Sequence, residues 1–189
     1  MSGELASPAR IWNYLSGGKD YYEIDRLVGD RCIETYPDIT TVAIQSLQFR
    51  IRAVHYLAGQ GVGQFIDIGF GLPVKDPTHT VAQAVLPDAR VVYVDHDPLV
   101  LTHARALFTS TTAEGILACI DSDVRGPERI IADAKHTLNS PEPIAVLLMG
   151  VLDTIEDYTH AITQWRTPDT DIGEIRSVSA YGAAARKPG

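Results

Sequence analysis

Cysteine is scarce in this chain: Cys32 and Cys119 are its two, far apart and without a second Cys or His at metal-ligand spacing. Such a pair supports neither a disulfide framework nor a zinc site, and both residues read as small core hydrophobes. Basic residues are outnumbered, 16 Lys and Arg against 24 Asp and Glu, for a formal net charge of -8. Phosphate backbones are bound by clustered Lys and Arg that release counterions, so nucleic acid is excluded as an expected partner, and acidic membrane surfaces with it. No run is long and apolar enough to span a bilayer, and Met1 to Pro8 shows no basic stretch followed by an apolar core. A cytoplasmic protein is the expectation.

What is present suits one globular α/β domain. The 189 residues are 45% hydrophobic, enough for a sizeable core. Residues 1–62 read as a helical lid with packing helices, 63–165 as a nucleoside-binding α/β core, and 166–189 as a shortened C-terminal segment with a possible final strand. Two stretches organise the core: Gln64 to Pro73, an apolar run ending in a glycine turn, and Val91 to Asp97, an apolar run ending in an acidic cluster. With a helical segment between them they form a β-α-β unit of the kind that holds a nucleoside.

Along the chain, Ser7 and Pro8 open a short helix to Leu15 that stops at Gly17-Gly18. Two readings fit this region: a helix hairpin packing Ile11, Trp12 and Leu15, or a loop in which Gly17, Gly18, Lys19 and Asp20 let the backbone pass close to a ligand while Tyr21 and Tyr22 close over it. Asp20 is expected to cap a second helix reaching Tyr36, and Asp38 or Thr40 a third ending around Gly59, with Arg50 and His55 on its solvated or domain-facing edge. Strands are expected at Phe65–Ile68, Ala89–Val94, 115–120 and Ile144–Met149, the last placed at the sheet centre as the most hydrophobic run. Helices alternate with them: one carrying Val81, Ala82, Val85 and Leu86, one opening at Pro98 with Asp97 as N-cap, one from Pro127 and one near Tyr158 to Trp165. This alternation predicts a doubly wound, mainly parallel sheet, with a last strand over Ser177 to Arg186.

In such a sheet the ligand crevice lies beyond the carboxyl ends of the strands, where strand order reverses. Gly69 and Gly71 fall there, and glycine both accepts positive φ and removes the Cβ that would hold a ligand off the backbone. Asp95, at the adjacent strand end, can accept hydrogen bonds from both ribose hydroxyls, with His96 next to it. A dinucleotide site usually has a third glycine where this chain has Val74, which argues against a nicotinamide-dependent oxidoreductase. Asp67 has a use if the ligand carries an ammonium group or orders water to one, as the methionine end of S-adenosylmethionine does. Asp121 and Asp123 can accept from an adenine amino group.

Four stretches, Ala9 to Asp20, Phe65 to Pro73, Val91 to Pro98 and Asp121 to Arg125, together resemble a bacterial S-adenosylmethionine-dependent methyltransferase-like family, once listed as a domain of unknown function and common in antibiotic-producing bacteria. The resemblance runs from about Ser7 to Leu152. It implies a Rossmann-like methyltransferase fold in which Gly17, Gly18, Lys19, Asp20, Asp67, Gly69, Gly71, Asp95, His96 and Asp123 surround S-adenosylmethionine. Phe70 replaces a small residue usual in the family's turn, Asp76-Pro77 replaces a more flexible pair, and Asp153 stands where a histidine is expected. Beyond Trp165 the family's fifth and sixth strand units look mostly missing, so a homodimer covering the exposed sheet edge is expected.

For methyl transfer the chain has to supply in-line positioning and a group that takes a proton from an oxygen or nitrogen acceptor. Asp153, Asp157, Tyr158 and His79 are the catalytic candidates, Asp153 first because it follows the fourth strand. The expected function is methyl transfer to a small metabolite in bacterial secondary metabolism, with no metal. The alternative is a methyltransferase-derived protein that instead cyclises or isomerises a natural product, or serves as a binding module.

Overall fold

Three interior runs of the chain, QFIDI, RVVYVD and IAVLLM, are buried almost throughout, as strands covered on both faces must be. They are β1 (Gln64–Ile68), β2 (Arg90–Asp95) and β4 (Ile144–Met149) of a five-stranded sheet completed by β3 (Ile116–Asp121) and β5 (Ile175–Ala180). The computed structural model describes residues 5–73, 75–139 and 141–151, and the backbone of 175–180. Its helices are α1 (Pro8–Leu15), α2 (Glu23–Thr35), α3 (Ile39–Gly59), α4 (Thr78–Gln83), α5 (Pro98–Leu107) and α6 (Pro127–Ala134).

All pairings are parallel and the strand order is β3-β2-β1-β4-β5. Because side chains alternate across a strand, β1, β2 and β4 feed two cores. Ile66, Ile68, Val92, Val94, Val146 and Leu148 pack with Ile130, Ile131 and Ala134 of α6. On the opposite face Phe65, Val91, Tyr93, Ala145 and Leu147 pack with Val54, Leu57 and Ala58 of α3 and Ala82 of α4. Each such Ile, Leu or Val contributes about 2 kcal/mol by leaving water. Helices on both faces of a parallel sheet make the doubly wound, Rossmann-like arrangement that the alternation of elements predicts.

Four expectations shift. β4 lies inside the sheet but β1 holds its centre; extreme hydrophobicity marks a strand covered on both faces, and both strands are. α2 begins at Glu23 rather than after Asp20, because the Asp25 side chain accepts the Tyr22 N–H at 2.9 Å and sets the helix start there. α4 ends at Gln83, leaving Val85 and Leu86 in the turn beyond it. A fifth strand is present beside β4: it covers Ile175–Ala180, overlapping the front of the expected Ser177 to Arg186 segment, whose remainder lies outside the described residues. The expected helix near Tyr158 to Trp165 also lies outside them.

Candidate functional site

Strand order reverses between β1 and β4, so the crevice of this sheet opens beyond the carboxyl end of β1. The chain leaves β1 through Gly69 and Gly71, at φ +64° and +70°, a region that L side chains avoid. The two glycines differ in their surroundings. A Cβ on Gly69 would stand 2.7 Å from Val151 on the segment leaving β4, whereas a Cβ on Gly71 would meet nothing within 4 Å. Gly69 is thus a point of close packing between the ends of β1 and β4, and Gly71 borders open space.

Asp95 closes β2 beside this turn and is 7% exposed. Its Oδ1 accepts the N–H groups of His96 (2.8 Å) and Asp97 (3.0 Å), while the Gly71 N–H points at Oδ2 from 3.4 Å. Burial raises the Asp95 carboxyl above its ordinary range, and the backbone donors of Asp97 and Gly71 oppose that rise. Oδ2 retains acceptor capacity toward the crevice. Asp97 caps α5 through the Leu99 N–H (2.9 Å), the role its position before Pro98 predicts, and its other oxygen accepts the Ser7 hydroxyl at 3.0 Å.

That last bond carries one end of α1 to the end of β2. Further along the same helix, Trp12 lies 3.8 Å from where a Cβ on Gly150 would stand, just past β4. Since β1 runs between β2 and β4, α1 passes over the end of β1 and roofs the glycine turn. The roof is pinned from outside by Asp25, fully buried, whose oxygens take the Arg10 guanidinium (2.6 Å), the Ser7 N–H (2.9 Å) and the Tyr22 N–H. Burial alone would raise this carboxyl; the bonds from Arg10, Ser7 and Tyr22 outweigh it and hold Asp25 below the usual range. The loop after α1 turns on Asn13, whose carbonyl accepts the Gly18 N–H and whose amide oxygen accepts the Asp20 N–H at 3.0 Å. A side chain on Gly18 would overlap Asn13, so that glycine is required by packing, and Lys19 and Asp20 are exposed.

Beneath the turn, Asp67 is 1% exposed and faces α3 and α4. Its Oδ2 accepts the Thr78 hydroxyl at 2.6 Å and lies 3.9 Å from the Arg50 guanidinium, itself 4% exposed. Oδ1 of Asp67 and Nε of Arg50 are buried without a hydrogen-bond partner. Burial raises the Asp67 carboxyl above its ordinary range, with Arg50 and Thr78 opposing that rise. Phe70 of the turn does not occupy the crevice: its ring packs on Tyr93 (4.9 Å between centroids) and Phe108 (5.8 Å).

His79 belongs to that same aromatic cluster. It is 3% exposed, its N–H donates to the Tyr93 hydroxyl at 2.9 Å, and its Nδ1 pairs with the same hydroxyl at 2.8 Å. Burial lowers its imidazole below the ordinary value, which favours the neutral ring. Asp123, after β3, is claimed by Arg125: the Arg125 N–H (2.9 Å) and Nε (2.8 Å) donate to Oδ1 and its Nη2 to Oδ2, and these bonds lower the carboxyl to about 2. His96 is exposed, its Nδ1 4.0 Å from Asp95. Asp153, Asp157 and Tyr158 lie outside the described residues. Among the described residues no cluster of His, Cys, Asp and Glu could hold a metal ion, and no helix is long and apolar enough to cross a membrane.

A family model described as S-adenosyl methyltransferase matches residues 1–175. The chain belongs to that family. Among solved structures, this S-adenosyl methyltransferase family member is similar to a DUF574 family protein from Streptomyces avermitilis, at 38% identity and a TM-score of 0.79 over 85% of this chain and 62% of that one. It is similar also to a candidate methyltransferase from Thermobifida fusca, at 38% identity and a TM-score of 0.74 over 86% of this chain and 63% of that one. The chain thus spans less than two thirds of the length of either. No curated protein matches it.

The site of this family member fits the group the family name implies. A glycine turn bordering open space, a buried Asp95 with acceptor capacity left on Oδ2, and an unspent buried oxygen on Asp67 are features suited to a polar ligand with hydroxyl and ammonium donors. Sequence reasoning gave Arg50 no part in the site, placing it on the solvated or domain-facing edge of α3, and it did not single out Thr78; Arg50 is in fact buried against the domain. The signal for Arg50 was a charged residue in an apolar stripe: Ala43, Arg50, Val54 and Leu57 are buried at steps of seven, four and three along α3, and an arginine there needs a carboxylate opposite.

Proposed function

We propose that the crevice binds S-adenosylmethionine and that the protein transfers its methyl group to a small-molecule acceptor. The observation that carries this reading is the meeting of Gly71, in left-handed conformation beside open space, with the buried carboxylate of Asp95 under the roof of α1. Asp95 Oδ2 would take the ribose hydroxyls, and the path Gly69 to Gly71 would let the ligand lie on the backbone. Asp67 would meet the ammonium end, directly or through water. Such a cofactor, when bound, supplies an electrophilic methyl group on a sulfonium.

The chain's own part is to orient, to exclude water and to take up a proton. Trp12 and the rest of α1 supply the cover over the end of β1, which strengthens every charge interaction beneath it. Proton removal from an oxygen or nitrogen acceptor falls to the segment after β4, where Asp153, Asp157 and Tyr158 occur in sequence. His79 is assigned no catalytic part, because its ring is spent on Tyr93 inside an aromatic cluster. Asp123, with Arg125 on both of its oxygens, would have acceptor capacity left on Oδ2 for an adenine amino group. Pairing of two copies belongs to the same proposal; among the described residues β5 pairs with β4 alone and leaves its outer edge open.

Calorimetric titration with S-adenosylmethionine and with its demethylated product tests the reading. Both are expected to bind, and absence of heat with either would sink it. Binding of both without release of demethylated product in the presence of candidate acceptors would move the assignment to a non-methylating cyclase, isomerase or binding module.

A further inference from the structure

Arg50 lies 14 residues before β1, on the helix that packs against the sheet, and touches the site through two contacts. One Nη is 3.9 Å from Asp67 Oδ2, and the other donates to the Asp76 carbonyl at 3.0 Å. Asp76 is the one non-glycine residue with positive φ, +56°, among the described residues, and it lies in the loop joining the glycine turn to α4. A left-handed conformation in a residue with a Cβ persists only where neighbours hold it, and the Arg50 bond is such a hold. Thr78, at the start of α4, then closes on the same Oδ2 that faces Arg50.

The distribution of partners over the Asp67 carboxylate is uneven. Both Arg50 and Thr78 approach Oδ2, while Oδ1 stays buried with no hydrogen bond. A buried carboxylate with no counter-charge takes up a proton or moves, so the Arg50 guanidinium opposes the effect of burial and favours the anionic form of Asp67, while one of its oxygens is left for another donor. We propose that Arg50 is a positioning residue of the ligand site, which favours the charged form of Asp67, aims its carboxylate and fixes the loop at Asp76, so that Oδ1 is held ready for the cationic end of the cofactor. This rests on the reading of the crevice as a site for S-adenosylmethionine. Arg50 itself acts through Asp67 and the Asp76 loop rather than on the ligand.

The test uses the full chain as wild type and as Arg50→Met, Arg50→Lys, Asp67→Asn and the double variant Arg50→Met/Asp67→Asn. Dissociation constants for S-adenosylmethionine and its demethylated product are measured by calorimetry at a temperature where thermal scans show each protein folded. Ligand-free urea midpoints are recorded in parallel. Arg50→Met and Asp67→Asn are each expected to weaken binding about tenfold or more, the double variant to be no weaker than the weaker single one, and Arg50→Lys to recover to within about threefold of wild type. A folded Arg50→Met that binds as wild type does, or losses that simply add in the double variant, overturns the proposal and leaves Arg50 a structural residue. If the wild type binds neither compound, the cofactor reading fails, and the ligand-free cycle decides the pair by itself: urea midpoints that fail to add sustain the coupling, and additive midpoints overturn it.

Discussion

Replacing Gly71 and Gly69 by alanine, one at a time, separates what the turn does for the fold from what it does for a ligand. Both residues are left-handed, at φ +70° and +64°, and a side chain forced into that region costs about 1 kcal/mol. At Gly71 this is the whole cost, since its new Cβ would meet nothing within 4 Å. At Gly69 the methyl group would stand 2.7 Å from both Cβ and Cγ2 of Val151, so the ends of β1 and β4 must move apart. Overpacking of that kind adds about 2 kcal/mol, for a total of about 3 kcal/mol. For a chain of this length the expected falls in melting temperature are about 3 °C for Gly71→Ala and about 9 °C for Gly69→Ala.

Ligand affinity is expected to rank the two differently. If the open space beside Gly71 is where S-adenosylmethionine lies, the Gly71→Ala methyl group intrudes on the ligand and weakens calorimetric affinity by about tenfold or more, for a loss of about 1.4 kcal/mol. The assays are a thermal scan and a titration on the same preparations. Gly71→Ala that binds as wild type does, or that melts as early as Gly69→Ala, would refute the reasoning.

Two further outcomes are expected. Asp25 is held below its ordinary range in the fold, so its bonds to Arg10, Ser7 and Tyr22 add stability that is present above the unfolded carboxyl value near 3.8 and disappears as pH falls through the lower folded value. Arg10→Met removes the charged partner of a fully buried acid, costs about 3 kcal/mol, and moves acid release of α1 to higher pH, as read by amide exchange of residues 9–15. Tyr93→Phe strips the hydroxyl shared by the His79 N–H and Nδ1, costs about 2 kcal/mol by urea unfolding, and leaves ligand affinity unchanged if His79 has no part in binding.

Much of this fold was legible in the sequence. Apolar runs bounded by Gly, Pro and Asp located β1, β2 and β4 to within a residue, because parallel interior strands must be hydrophobic on both faces, and β3, at the sheet edge and only partly buried, was located as closely by its run between Gly115 and Asp121. Asp97 and Pro98 announced the start of α5 because capping is local chemistry. Gly69, Gly71 and Asp95 could be brought together because the β-α-β unit fixes where consecutive strand ends fall. The arrangement of the lid was harder. Ser7 reaching Asp97 and Trp12 reaching Gly150 are contacts across long stretches of sequence, which no period or cap encodes. Phe70 was equally hard to place: it departs from the small residue usual in the family's turn, and where a ring in that position goes is decided by its packing against Tyr93 and Phe108.

The charge arrangement also explains why an acidic protein can keep three carboxylates at one crevice. Asp97 is spent on the α5 N-terminus and on Ser7. Asp95 Oδ1 is satisfied by two backbone N–H groups, which cost no extra cation, and Asp67 faces the single guanidinium of Arg50. What remains unspent points one way: Asp95 Oδ2 toward the crevice, Asp67 Oδ1 beneath it, and, among the described residues, no lysine or arginine among the hydrogen-bond partners of the glycine turn. A pyrophosphate laid on this turn would add negative charge beside the Asp95 and Asp67 carboxylates, where Arg50 already faces Asp67, whereas hydroxyls, an ammonium and a sulfonium bring donors and positive charge. The proposal of S-adenosylmethionine rather than a dinucleotide therefore rests on where this chain has placed its anions, independently of the absent third glycine.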